Sequence, residues 1–114
     1  MNLYELYNKP TDLYNYEKAK DTVIYLFWDE YYDNPRELKK REHLIAQSAF
    51  HSFVYAKNIL DGPFPAGEKA IATSARFSYN YANDVLQDRF EEGEDVIFDS
   101  EYNEEYIDLL NYGF

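Results

Sequence analysis

The chain has 114 residues, 46% of them hydrophobic, and a formal net charge of -11, which makes it one acidic domain able to bury a single modest core. Thirteen Tyr and eight Phe separate it from acidic disordered chains, which lack the aromatic residues to build a core. No cysteine is present, so disulfides, thiolate metal sites and thiol nucleophiles are excluded, and the negative charge opposes direct binding to nucleic acid or to anionic membranes.

The N-terminal stretch "MNLYELYNKP" lacks a basic region followed by an apolar run, so no signal peptide is expected. The longest apolar stretch, "VIYLFW", is too short to span a bilayer. Thr11 or Asp12 is placed to cap a helix carrying Tyr16, Val23, Phe27 and Tyr31 on one face. Asn34, Pro35 and Glu37 then combine an N-cap, a first-turn proline and an acidic third position, and predict a helix bearing Leu38, Leu44 and Ile45. Its basic run, "RELKKRE" from Arg36 to Glu42, suits i, i+4 ion pairs better than a nucleic-acid site.

From Ile45 onward the chain repeats itself. A shift of 26 residues lays Ile45, Ala46, Ser48, Ala49, Ser52, Tyr55, Ala56, Leu60, Phe64, Gly67 and Glu68 on Ile71, Ala72, Ser74, Ala75, Ser78, Tyr81, Ala82, Leu86, Phe90, Gly93 and Glu94. Chance would give about one or two such identities at ordinary residue frequencies. A third copy starts at Ile97, and deleting one residue brings Tyr102, Tyr106 and Leu110 onto Phe77, Tyr81 and Val85. The expected architecture is all-α, a small solenoid-like α-α repeat. Residues 1–44 form a degenerate capping region, 45–70 and 71–96 two repeats, and 97–114 a partial third.

Each repeat reads as a long helix and a short one. The long helix places Ala75, Tyr79, Ala82 and Leu86 on one face, matched by Ala49, Phe53, Ala56 and Leu60, with Ser78, Tyr81 and Val85 widening the stripe. Ser48, Ser74 and Ser100 are candidate N-caps, and Asp61-Gly62 a helix stop. The short helices are expected over residues 65–72 and 91–98. Phe64 and Phe90 sit just ahead of them, and Gly67 and Gly93 in the first turn read as close-contact positions.

Ser74, Tyr79, Tyr81, Ala82, Val85, Leu86, Arg89, Phe90, Gly93, Glu94 and Ile97 together form a pattern that resembles a short helical repeat of hypothetical proteins from tailed phages and other large viruses. The resemblance covers about residues 45–110. It implies an α-α fold, a viral origin and residence in the cytoplasm of an infected host cell, with an anti-defence role of the anti-CRISPR kind. It carries no catalytic motif, so no active-site residue transfers.

A search for chemistry finds little. His43 and His51 stand eight residues apart without a metal-binding pattern, and no metal or cofactor is expected. Asp99, Glu101, Asn103 and Glu105 alternate like the start of a calcium loop, but Glu104 and Leu110 occupy the positions that require Gly and Glu. The capping serines show no histidine partner in the sequence, which leaves nucleophilic catalysis unsupported and predicts a non-enzyme.

The charge is unevenly spread. Residues 84–114 hold eleven acids and one base. Asp84, Asp88, Glu91, Glu92, Glu94, Asp95, Asp99, Glu101, Glu104, Glu105 and Asp108 are therefore the candidate partner-binding residues, with Tyr102 as an aromatic anchor beside them. They predict a basic protein partner, a nucleic-acid-binding host protein such as a CRISPR effector or restriction nuclease, held by an anionic surface that imitates DNA. The alternative is a helical-repeat adaptor that binds through exposed tyrosines at Tyr31, Tyr32 and Tyr102. Either form is expected as a monomer or weak homo-oligomer.

Overall fold

The computed structural model describes residues 31–114, all of whose regular structure is helical. The helix expected from Thr11 to Tyr31 lies, apart from its last residue, outside the described residues. Seven α-helical segments follow in order: α1 (Pro35–Lys39), α2 (Glu42–Ile45), α3 (Ala49–Val54), α4 (Glu68–Ile71), α5 (Ala75–Asn80), α6 (Glu94–Phe98) and α7 (Asn103–Tyr112). Turns of 3-10 helix, Pro65–Gly67 and Glu91–Gly93, lead into α4 and α6.

The helix starts follow the expected chemistry. Asn34 accepts a bond from the Glu37 N–H and precedes Pro35, which opens α1. Ser48 and Ser74 cap α3 and α5 by accepting from the His51 and Phe77 N–H groups at 3.1 and 3.2 Å. Ser100 departs from this pattern. It accepts from Tyr102, two residues on, and donates to the Ile97 carbonyl, so α7 begins without a side-chain cap. Glu37 pairs with Lys40 and Arg41, as the basic run suggested. These two partners hold its carboxyl below the usual range.

Each long helix ends in a π-helical turn, Tyr55–Leu60 after α3 and Tyr81–Leu86 after α5. The stop itself uses the left-handed residues Asp61 (φ 53°) and Gln87 (φ 51°), not Gly62. The Gly62 N–H closes onto the Ala56 carbonyl and the Asp88 N–H onto that of Ala82. Both closures span six residues, one wider than the usual Schellman closure of an α-helix.

The core is lined by Leu38, Ile45, Phe50, Phe53, Phe77, Tyr81, Ile71, Ile97 and Tyr106. On the second long helix the fully buried positions are Phe77, Ser78, Tyr81 and Ala82, whereas Tyr79 and Leu86 of the expected stripe are half-buried; on the first, Phe53 and Ala56 of that stripe are fully buried and Leu60 is exposed. The π turn rotates Leu86 away from the face that a 3.6-residue period assigns it, whereas Tyr79 precedes that turn and lays its ring on Tyr102.

Two contacts recur at the sequence spacing. Ser52 and Ser78 donate to the carbonyls of Ile45 and Ile71, the last residues of α2 and α4, at 2.9 and 3.0 Å. Each carbonyl also accepts the backbone N–H of Ser48 or Ser74, so the hydroxyl uses its second lone pair. Gly67 and Gly93 then pack against the same two serines. A Cβ on Gly67 would meet the Ser52 side chain and lie 2.6 Å from Phe64 Cδ2, so no larger residue fits without movement.

Tyrosine hydroxyls make the second contact. Tyr81 donates to Glu68 Oε2 at 2.7 Å and accepts from the Phe64 N–H at 2.9 Å. Tyr106 does the same with Glu94 and the Phe90 N–H, at 2.7 and 2.9 Å. Tyr55 donates to Glu42 at 2.6 Å, which gives α2 the part that α4 and α6 play later. Burial, followed by the carboxylate acceptor, raises all three phenols, Tyr106 to about 12. The Phe64 and Phe90 rings meet Tyr55 and Tyr81 edge-on, each at 5.0 Å.

Candidate acidic interaction surface

The eleven carboxylates of the C-terminal third fall into two groups. Glu94 belongs to the fold. Its side chain is only 13% exposed, Arg89 holds it through two bonds of 3.0 and 2.8 Å, and Tyr106 donates to it. Arg89, the one base of residues 84–114, thus keeps the Glu94 carboxyl below its usual range, while Glu94 raises the guanidinium. Asp84 is also engaged, through Lys57 at 3.4 Å and the Asn83 amide at 3.3 Å.

The second group faces solvent. Glu91, Glu92 and Asp95 surround the start of α6, and Asp99 follows its end. Glu91 is 79% exposed and approaches Arg89 only at 3.8 Å. Asp88 accepts from the Arg89 backbone N–H at 2.7 Å and is exposed. Glu101, Glu104, Glu105 and Asp108 fall at i, i+3, i+4 and i+7, one side of α7 and of the turn before it, and all four are exposed. Opposite them, Tyr106 is buried and Leu110 packs on the core. The field of this surface reaches inward: the Tyr79 phenol is raised, first by burial and then by Glu105 and Asp84.

The tyrosine anchors are placed differently from expectation. Tyr102 stacks on Tyr79 with ring centres 5.4 Å apart and planes 18° apart, half-buried against the core. Tyr31 and Tyr32 are half-buried there too, with the Arg41 guanidinium 4.4 Å above the Tyr31 ring. Among the described residues the most exposed aromatic is Tyr112, at 86%, with Phe98 and Phe114 also exposed, and sequence reasoning passed over Tyr112.

One expectation about chemistry needs correction. A histidine does stand beside a capping serine: His51 Nδ1 lies 2.9 Å from Ser48 Oγ. The pair arises from capping geometry, since the same hydroxyl accepts the His51 N–H. His51 is wholly buried, and burial lowers it to about 3, far from a general base poised for neutral pH. It occupies the position where the next copy has Phe77, and it meets Phe50 edge-on at 5.0 Å as an aromatic core residue would.

A cleft of about 210 Å³ runs between the two π turns, lined by Lys57, Asn58, Asp61, Gly62, Asp84 and Val85 and crossed by the Lys57–Asp84 pair. It is smaller than the usual range for drug-sized ligands. Among the described residues no group of three His, Asp or Glu side chains is placed to hold a metal ion, and no helix is long and apolar enough to cross a membrane. Comparison with family models, curated proteins and solved structures finds no match for this chain.

Proposed function

We propose that this is a non-enzymatic phage protein, a short α-α repeat array that binds and inhibits a nucleic-acid-processing complex of host defence. The binding element is the acidic C-terminal surface, and the partner is the basic groove of a CRISPR effector or restriction nuclease in the host cytoplasm. One observation carries the reading. The single base among the eleven acids is consumed by Glu94, which leaves Glu91, Glu92, Asp95, Asp99, Glu101, Glu104, Glu105 and Asp108 on the solvent side. Along α7, about 15 Å at helical rise, Glu104, Glu105 and Asp108 present roughly one charge per 5 Å, with Glu101 added from the turn before it. One DNA strand presents about one per 3.4 Å.

The test is capture of a partner from host lysate with salt-graded elution. Binding weakens as salt rises, and the triple change Glu91→Lys, Glu92→Lys, Asp95→Lys abolishes it. Glu94 is left intact because its reversal would break the Tyr106 and Arg89 contacts. Capture of the same partner by the triple variant at the same salt overturns the reading.

A further inference from the structure

The outward side of α7 has a history in the two long helices before it. Tyr106 makes the bonds that Tyr81 makes, so Glu104, Ile107 and Asp108 hold the places of Tyr79, Ala82 and Asn83, and before them of Phe53, Ala56 and Lys57. On the earlier helices this side is covered by the following long helix. Phe53 meets the Phe77 ring at 5.6 Å, Tyr79 stacks on Tyr102, and Lys57 pairs with Asp84. Ala56 and Ala82 are wholly buried. On α7 the same side is open. Ile107 is 39% exposed, and Glu104, Asp108 and Asn111 face solvent.

The residues there define what fits. An aromatic ring has become Glu104, a Lys or Asn has become Asp108, and a buried Ala has become the larger, apolar Ile107. The result is one apolar side chain bracketed within a turn by carboxylates, with Glu101 and Glu105 alongside. A second copy of this chain is a poor occupant. The surface its first long helix would bring includes His51, in the place of Phe77, and that residue is already buried. Its own charge of -11 would also repel.

We propose that the outward face of α7, centred on Ile107 between Glu104 and Asp108, docks a cationic amphipathic helix of a partner protein, laid where a further long helix would lie. The proposal rests on the acidic-surface reading above and assigns it a site and a partner shape. The occupant supplies an apolar stripe for Ile107 and Lys or Arg one turn to either side.

The test uses the full chain and two synthetic peptides of leucine and lysine. In one the leucines fall at i, i+3, i+4 and i+7. In the other the same residues are scrambled. Nitrogen-labelled protein is titrated with each while amide shifts are followed. The ordered peptide should shift residues 104–111, and the scrambled one should bind on the order of tenfold more weakly. Ile107→Gln should remove that preference, and Glu104→Lys with Asp108→Lys should abolish binding. The triple variant at Glu91, Glu92 and Asp95 should bind the ordered peptide within about threefold, because the peptide covers α7 alone. Circular dichroism confirms that each variant is folded. If both peptides bind alike, or if Ile107→Gln changes nothing, the α7 site falls while the acidic-surface reading stands. If neither peptide binds, both fall. Peptide-free dimers dissociated by Ile107→Gln would overturn the choice of occupant in favour of a second copy.

Discussion

Replacing Tyr81 with Phe isolates one hydroxyl. The ring keeps its place against Phe90, while the bonds to Glu68 at 2.7 Å and from the Phe64 N–H at 2.9 Å are lost. A hydrogen bond to a charged group contributes about 1.5–3 kcal/mol, and the lower end applies because half-buried Glu68 can take up water. The Phe64 N–H is buried, and an orphaned buried donor costs about 1–3 kcal/mol. Tyr81→Phe should therefore lose about 3 kcal/mol. Tyr55 provides the internal control, because its hydroxyl bonds to Glu42 without an accepted N–H. Tyr55→Phe should lose only about 1.5 kcal/mol by the same bond energy. Urea titration followed by circular dichroism reads both as shifts in midpoint at constant slope. Equal losses in the two variants would show that the Phe64 N–H contributes nothing, and the accounting would fail.

Gly67→Ala puts a methyl group against Ser52 and Phe64, so despite the better helix propensity of Ala it should destabilise by about 1–3 kcal/mol. In a Ser52→Gly background the cost of the same change should shrink without vanishing, because the Phe64 ring still crowds the new methyl group, and a double-mutant cycle by urea titration measures the coupling. Acid provides the other handle. The Glu94 carboxyl lies below its usual value in the folded state, so its contribution is present above pH of about 4.3 and is lost as pH falls through the lowered value. Glu94→Gln should remove that part of the acid slope of the urea midpoint, and Glu37→Gln, on a half-buried surface ion pair, should remove a smaller part.

Much of this architecture was legible because the chain writes it twice. The Ser48 and Ser74 caps, the close approach at Gly67 and Gly93 and the burial of Phe64 and Phe90 all follow from residue type at a matched position. The π turns were not legible, since nothing in "YAKNIL" or "YANDVL" marks a wider helix, and they displaced Leu60 and Leu86 from the predicted buried face. The tyrosine–glutamate bonds were hidden for another reason. They join residues 12 or 13 positions apart on different helices, beyond any local periodicity. At the candidate site the run of acids was plain in the sequence. That Glu94 and Asp84 are engaged while their neighbours are exposed depends on where Arg89 and Lys57 reach.

The tyrosine bonds all point one way along the chain. Tyr55 reaches back to α2, Tyr81 to α4 and Tyr106 to α6. On a ribosome each short helix therefore emerges incomplete, and the growing end always waits for the helix still to come. A long helix such as α7 answers the request of its predecessor, and within residues 103–112 it makes no new one.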